Sequence, residues 1–251
     1  MKPIALITGA SSGIGKAIAQ QVADQYRLII CGRRISRLEA LSKGLNNRTE
    51  ILIGSFDVRD QLAVSHFIDS LPTKWQKISV LINNAGNAHG LSFIHEGDTQ
   101  DWDAMIDINV KGLLYVSRAV IPKMIKAQAG HIINLGSIAG TDVYPRGNVY
   151  NASKFAVDAL TKGMRMDLNA YGIKVSEIKP GLVETEFSQV RFKGDLEKAK
   201  EIYKGYDPLQ AKDIAECISF MLSRPKHVNI GDMVVLPLAQ ASSNILNKQQ
   251  K

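Results

Sequence analysis

The sequence predicts a doubly wound α/β domain: a parallel sheet with crossover helices. Short apolar runs alternate with stretches of helical periodicity along most of the chain. A glycine-rich turn joins the first apolar run directly to the first helical stretch. The 251 residues fit one large domain or two small ones, and no internal repeat or low-complexity tract interrupts the alternation.

The first strand is expected at 3–8, an apolar run too short for a signal peptide, with the first helix at 14–25. A second strand at Arg27–Gly32 leads to a helix at Ile35–Leu45. A third strand at 50–56 precedes a helix at 61–70, and a fourth strand follows at 79–83. One long helical region runs from 102 to 126, with a break expected near Asn109, and a fifth strand lies at 131–135. Residues 149–170 read as a long helix. Val149, Phe155, Ala156, Ala159, Leu160 and Met164 recur mostly at spacings of three, four or seven. The sixth strand is placed at 173–179.

The rhythm then breaks. Residues 182–208 are mixed and charged, with Arg191, Lys193, Asp195 and Lys198 among them, and read as a lid. A last helix at Ala211–Leu222 and a last strand at 233–238 complete a single domain over 1–241. The polar tail 242–251 is expected to be frayed or used in assembly.

Hydrophobic residues at 45% and charged residues at 22% suit a globular chain that buries a core without disulfide or metal. Cys31 and Cys217 lack metal spacing and read as buried thiols, which suits a reducing, cytoplasmic compartment. No apolar stretch approaches a membrane span. The net charge of +7 fits a solvated basic surface or steering of an anionic cofactor and substrate. Nucleic-acid binding is the weakest reading, because the cations are scattered and no such motif occurs.

The glycine turn reads Thr8-Gly9-Ala10-Ser11-Ser12-Gly13-Ile14-Gly15. A backbone that turns sharply from strand to helix and passes close to a pyrophosphate cannot carry a Cβ at every position. The following helix start offers free N–H groups and a positive dipole end, and Ser11 and Ser12 can add donors. The second strand ends in Gly32-Arg33-Arg34, with no acid until Glu39. A carboxylate there would repel a ribose 2′-phosphate, whereas guanidinium groups bind one, so NADP is the expected cofactor. Asp57 and Val58 are expected beside the adenine. Asn83, Asn84, Ala85 and Gly86, ending the fourth strand, are expected to line the cleft.

Tyr150 and Lys154 stand at i and i+4, on one face of a helix. Ser137 follows the fifth strand, where α/β sheets carry functional loops. With the glycine turn, Asn83 to Gly86, Asn109, and Pro180-Gly181 followed by Val183 and Thr185, these residues resemble the short-chain dehydrogenase/reductase family over nearly the whole chain. The resemblance implies a Rossmann-type sheet of about seven parallel strands with helices on both faces. It implies that Tyr150 is the acid/base, that Lys154⁺ favours its phenolate and binds the nicotinamide ribose, and that Ser137 holds the substrate oxygen. Asn109 would anchor a water relay. Pro180 and Gly181 would lie at the nicotinamide. Hydride passes directly, so no metal is implied. Tetramers assembled through the helices at 110–126 and 149–170 are common in the family.

A narrower resemblance is to NADP-dependent 3-hydroxy acid dehydrogenases, which act on serine, L-allo-threonine and related acids. It rests on 147–150, 180–188, 190–195, 227–230 and 236–237. A small acid needs a cation with directional donors, and Arg191 is the candidate, flanked by Val190 and Phe192, with Arg146 as the weaker one. Reduction of general ketones, aldehydes or sugar carbonyls is the alternative. A cofactor-binding sensor without catalysis is a third, though such proteins normally lack the tyrosine or lysine.

Overall fold

In the computed structural model, which describes residues 2–248, seven strands form one parallel sheet. They are β1 (Ile4–Thr8), β2 (Arg27–Gly32), β3 (Ile51–Ser55), β4 (Ile78–Asn83), β5 (Gly130–Leu135) and β6 (Ile173–Pro180), closed at one edge by β9 (Asp232–Val235). Two short strands, β7 (Val183–Glu184) and β8 (Leu209–Gln210), pair with each other apart from the main sheet. The helices are α1 (Gly13–Val22), α2 (Ile35–Leu45), α3 (Gln61–Asp69), α4 (Thr99–Ile106), α5 (Gly112–Ala127), α6 (Asn148–Leu168), α7 (Phe187–Arg191), α8 (Leu196–Glu201) and α9 (Ala211–Leu222).

All five residues of β1 are buried, the mark of a strand covered on both faces. The pleat divides them. Ala5 and Ile7 pack with Ile18, Leu38, Leu41 and Ile218 of α1, α2 and α9. Ile4 and Leu6 turn to the opposite face, with Ile68 of α3 and Val116 and Val120 of α5. Each fully buried branched side chain of this kind stabilises the fold by about 1.5–3 kcal/mol relative to exposure.

The strand order is β3-β2-β1-β4-β5-β6-β9. The chain winds outward from β1 to β3, then crosses back to β4 on the other side of β1. The crevice at the carboxyl ends of strands β1 and β4 is where open α/β sheets bind ligands.

The break expected near Asn109 is present: a π-helical segment, Asp107–Lys111, joins α4 to α5 and contains Asn109. Other expectations are corrected. The last strand is shorter than expected, ending at Val235. Residues 182–208, read as a lid, hold β7, α7 and α8. The tail is not frayed up to Lys248: Ser243 N donates to Asp142 Oδ2 at 3.0 Å and Asn244 Nδ2 to the Val143 carbonyl at 2.7 Å. Residues 249–251 lie outside the described residues. Both cysteines are free, and among the described residues no helix is long and apolar enough to cross a membrane.

Candidate active site

A cleft of about 450 Å³ opens at the carboxyl ends of the strands. Its floor at one end is the glycine turn. Gly9 and Gly13 have φ of +66° and +51°, a region costly for residues with a Cβ. A Cβ on Gly9 would also lie 2.8 Å from Asn84 Nδ2 and 2.9 Å from the Ala85 Cα. At Gly15 it would strike the Gly9 carbonyl, so this glycine packs α1 onto the turn and does not face the cleft. Ser12 precedes α1 without capping it through its side chain, and the first turn carries no acid. The helix start therefore keeps its N–H groups and positive end for an anion. Ser11, Ser12 and Ile14 line the same end.

Thr8 Oγ1 ties this turn to β4, accepting from the backbone N of Asn84 and Ala85, each at 3.0 Å. Asn84 Nδ2 returns a hydrogen bond to the Thr8 carbonyl at 2.9 Å. Asn83, expected in the cleft, is instead buried in the core. Its Nδ2 donates to Ser117 Oγ at 3.0 Å and Asn134 Oδ1 at 2.9 Å. Asn84, Ala85 and Gly86 line the cleft.

Arg33 and Arg34 both line the outer end. Arg34 donates to Ser12 Oγ at 2.6 Å and to Ser11 Oγ at 3.2 Å, gathering three donor groups at one point. Its other nitrogen meets Glu186 at 2.9 Å, and Arg37, absent from the sequence expectation, meets the same carboxylate at 2.6 Å. Asp57 and Val58 line this end too. Burial pushes the Asp57 carboxyl up, but hydrogen bonds and charge from Arg59, with Arg33 at 3.6 Å, hold it below the usual carboxylate range.

At the inner end α6 presents Tyr150 and Lys154 one turn apart, and both are buried. Burial pushes the Tyr150 hydroxyl up, against the Arg191 charge and a hydrogen bond with Ser137. Burial lowers Lys154 to about 8, opposed by the charge of Glu177. Lys154 Nζ donates to the Leu135 carbonyl at 2.8 Å and lies 6.0 Å from the Tyr150 ring centre. The Arg191 guanidinium is closer to that ring, at 4.9 Å. Ser137 begins the turn after β5, where its Oγ accepts from Ala139 N at 3.1 Å.

Asn109 is buried beside this pair. Its Oδ1 accepts from Asn87 N at 2.9 Å, and its Nδ2 donates to the Asn87 carbonyl at 2.8 Å and to Ser153 Oγ at 3.0 Å. A Cβ on Gly86 would sit 2.9 Å from Asn109 Oδ1 and 3.8 Å from Lys154 Nζ, which shows how near the three lie.

The lid closes over this end. Pro180, Gly181, Val183 and Thr185 line the cleft, and Thr185 packs against Gly13 across it. Phe187 meets the Tyr150 ring edge-on at 5.7 Å. Arg191 donates to the Tyr144 hydroxyl, and its buried Nε has no partner among the described residues. The Arg191 carbonyl accepts from Gly90 N at 2.9 Å, and Lys193 pairs with Asp101 at 3.0 Å, pinning the lid to the opposite wall. Arg146, the weaker cation candidate, does not line the main cleft and stacks on Phe93 at 4.5 Å. Tyr144, Phe187 and Arg37 escaped the sequence reading; the nearness of Phe187 to Thr185 was the one local signal for any of them.

The chain is similar to known proteins. The profile of the family described as "short chain dehydrogenase" matches residues 3–195. An NADP-dependent 3-hydroxy acid dehydrogenase, YdfG of Salmonella typhi, is 43% identical over 244 residues, 96% of this chain and 98% of that one. Sulfoacetaldehyde reductase 2 of Chromohalobacter salexigens is 43% identical over 245 residues, 97% of each. The closed form of a serine dehydrogenase complexed with NADP+ superposes with a TM-score of 0.92 at 40% identity, covering 98% of this chain and all of that one. The chain belongs to the short chain dehydrogenase family.

Proposed function

We propose that this short chain dehydrogenase is an NADP-dependent oxidoreductase that interconverts the 3-hydroxyl and 3-keto forms of small acids such as serine and L-allo-threonine. One observation carries the substrate class: the Arg191 guanidinium lies 4.9 Å from the Tyr150 ring, with a buried nitrogen still free to donate. A short hydroxy acid offers little apolar area, so a charge-assisted hydrogen bond must supply much of its affinity.

The cleft suits a dinucleotide phosphate. The glycine turn and the α1 start would hold the pyrophosphate, and Arg33, Arg34, Ser11 and Ser12 the 2′-phosphate. When bound, NADP(H) supplies or accepts the hydride. Arg191 orients the acid so that its reacting oxygen meets Tyr150 and Ser137. In reduction the carbonyl carbon gains hydride and its oxygen takes the Tyr150 proton; oxidation reverses both steps. Lys154⁺ and Arg191⁺ favour the phenolate that forms. Asn109 fixes the backbone at Asn87 and, through Ser153, the first turns of α6. Phe187 and the lid exclude water.

A sulfonate is the nearest competing anion, since a guanidinium binds either and one relative is named for an aldehyde that carries it. Uncharged ketones fit less well, because they would leave the half-buried Arg191 without a counter-charge. A sensor without turnover would have no use for Tyr150 and Lys154 on one face.

Arg191→Leu tests the assignment. It should lower kcat/KM for a 3-hydroxy acid by roughly tenfold to a hundredfold, about 1.5–3 kcal/mol, while sparing an uncharged alcohol of similar size. Equal losses on both would assign Arg191 to lid order alone. We also propose a homotetramer built on α5 and α6, whose surfaces expose Leu114, Phe155 and Met166. Sedimentation at the monomer mass would overturn it.

A further inference from the structure

Behind the cleft wall lies a charge cluster that the reaction above does not use. Glu177, on β6, is fully buried, and neither of its carboxylate oxygens has a hydrogen-bond partner among the described residues. Its carboxyl presses against Gly136, with Oε1 where a Cβ on that glycine would stand. Gly136 lines the cleft, and its neighbour Leu135 is the residue whose carbonyl receives Lys154 Nζ. The carboxylate thus sits behind Gly136, the next residue in the chain after the carbonyl that holds the Lys154 ammonium.

The cluster continues away from the cleft. Asp158 is one helical turn beyond Lys154 on α6. Lys179 Nζ, almost wholly buried, reaches Asp158 at 2.6 Å, Asp232 at 2.9 Å and Glu177 at 3.5 Å. The cation among these three carboxylates is the protein's own. Lys162 pairs with Asp158 at 2.7 Å and Arg165 with Asp232 at 3.2 Å, so the outer two acids are satisfied twice over. Glu177 has only the most distant share of Lys179. On the cleft side Lys154 lies beside the Tyr150 ring, which brings it no fixed negative charge.

We propose that Glu177 is a positioning residue for the reaction: from behind the cleft wall, its carboxylate keeps Lys154 in the charged state on which Tyr150 depends. The inference rests on the role assigned to Lys154 above. Its physical basis is that charges buried in dry protein act on one another with little water to screen them, and Glu177 is the charge that opposes the loss of the Lys154 proton. The order of titration fits. Burial raises Glu177 to about 7, with Lys179 easing it down, while burial lowers Lys154 to about 8. As pH rises, Glu177 becomes negative just before Lys154 would give up its proton. Below that range Lys154 is charged without help.

The measurement is the alkaline limb of kcat/KM for carbonyl reduction with NADPH. Glu177→Gln removes the opposing charge, so Lys154 loses its proton sooner and the limb moves to lower pH, by about one unit. Glu177→Asp keeps the charge and stays near the wild-type limb. Lys179→Gln leaves Glu177 in place but withdraws its cation; the carboxyl stays neutral to higher pH and the limb again moves down. At pH 6.5, where Lys154 is charged in every variant, the dissociation constant for NADPH should stay within about twofold. An unmoved limb in Glu177→Gln overturns the proposal, as does an equal shift in Glu177→Asp. Should the Gln variant not fold, an unmoved limb in Lys179→Gln overturns it. Lys154→Met separates the two readings: if it retains full activity, the role of Lys154 fails, whereas an inactive Lys154→Met beside an unmoved Glu177→Gln limb removes only this inference.

Discussion

At the outer end of the cleft the anion site is made of backbone and of arginines whose side chains are 58% and 43% exposed. At the inner end Tyr150, Lys154 and Asn109 are 8%, 6% and 2% exposed. The same guanidinium or ammonium counts differently in the two places. Outside, water and salt screen it, and it sorts one ligand from another by a modest factor. Inside, nothing screens it, so it changes the ionisation of its neighbours and decides whether the reaction proceeds. The backbone part of the outer end has a different sensitivity: it tolerates changes of side-chain chemistry but not the addition of a Cβ at Gly9.

The sharpest test of this contrast is the loss of one oxygen from the buried end. Tyr150→Phe should lower kcat by at least about a thousandfold, the scale of a lost general acid/base, while NADPH binding by fluorescence titration stays nearly unchanged. Near-native turnover would show that Tyr150 is not the acid/base. The Arg191→Leu loss on acids falls below that. The smallest effect belongs to the exposed end. Replacing Arg33 and Arg34 together with alanine should weaken NADPH by about tenfold, less than two buried charge-assisted bonds would, and leave NADH almost unaffected. Equal weakening of both cofactors would break the comparison at its outer end.

How much of this was legible beforehand follows from the range of the forces involved. β2, α2 and α9 lie where the apolar pattern placed them, because local periodicity and burial agree there. The glycine turn, Ser137, Tyr150 and Lys154 come together through strand ends and a single helical turn, both of which are written locally. Asn83 and Asn84 were not separable, since which of two adjacent asparagines faces the cleft depends on how β4 pleats against its neighbours. Glu186 meets Arg34 across 152 positions, and no spacing rule reaches that far. Glu177 was hidden differently: a charged residue within an apolar strand looks like an interruption until the lysine two positions on and the acids of α6 and β9 surround it.

The π-helical segment at Asp107–Lys111 sets an angular phase along the chain. It is a single wide turn between α4 and α5, and such a turn inserts about one residue relative to an α-helix. One residue corresponds to roughly 100° of rotation about a helical axis. Removing a residue here would restore a uniform helix and swing Asn109 away from Asn87 and Ser153, while the apolar stripe of α5 kept its own spacing. The segment works as a phase shifter. It lets one continuous rod serve two clients, a core that demands a 3.6-residue beat and a cleft that needs one amide out of step with it.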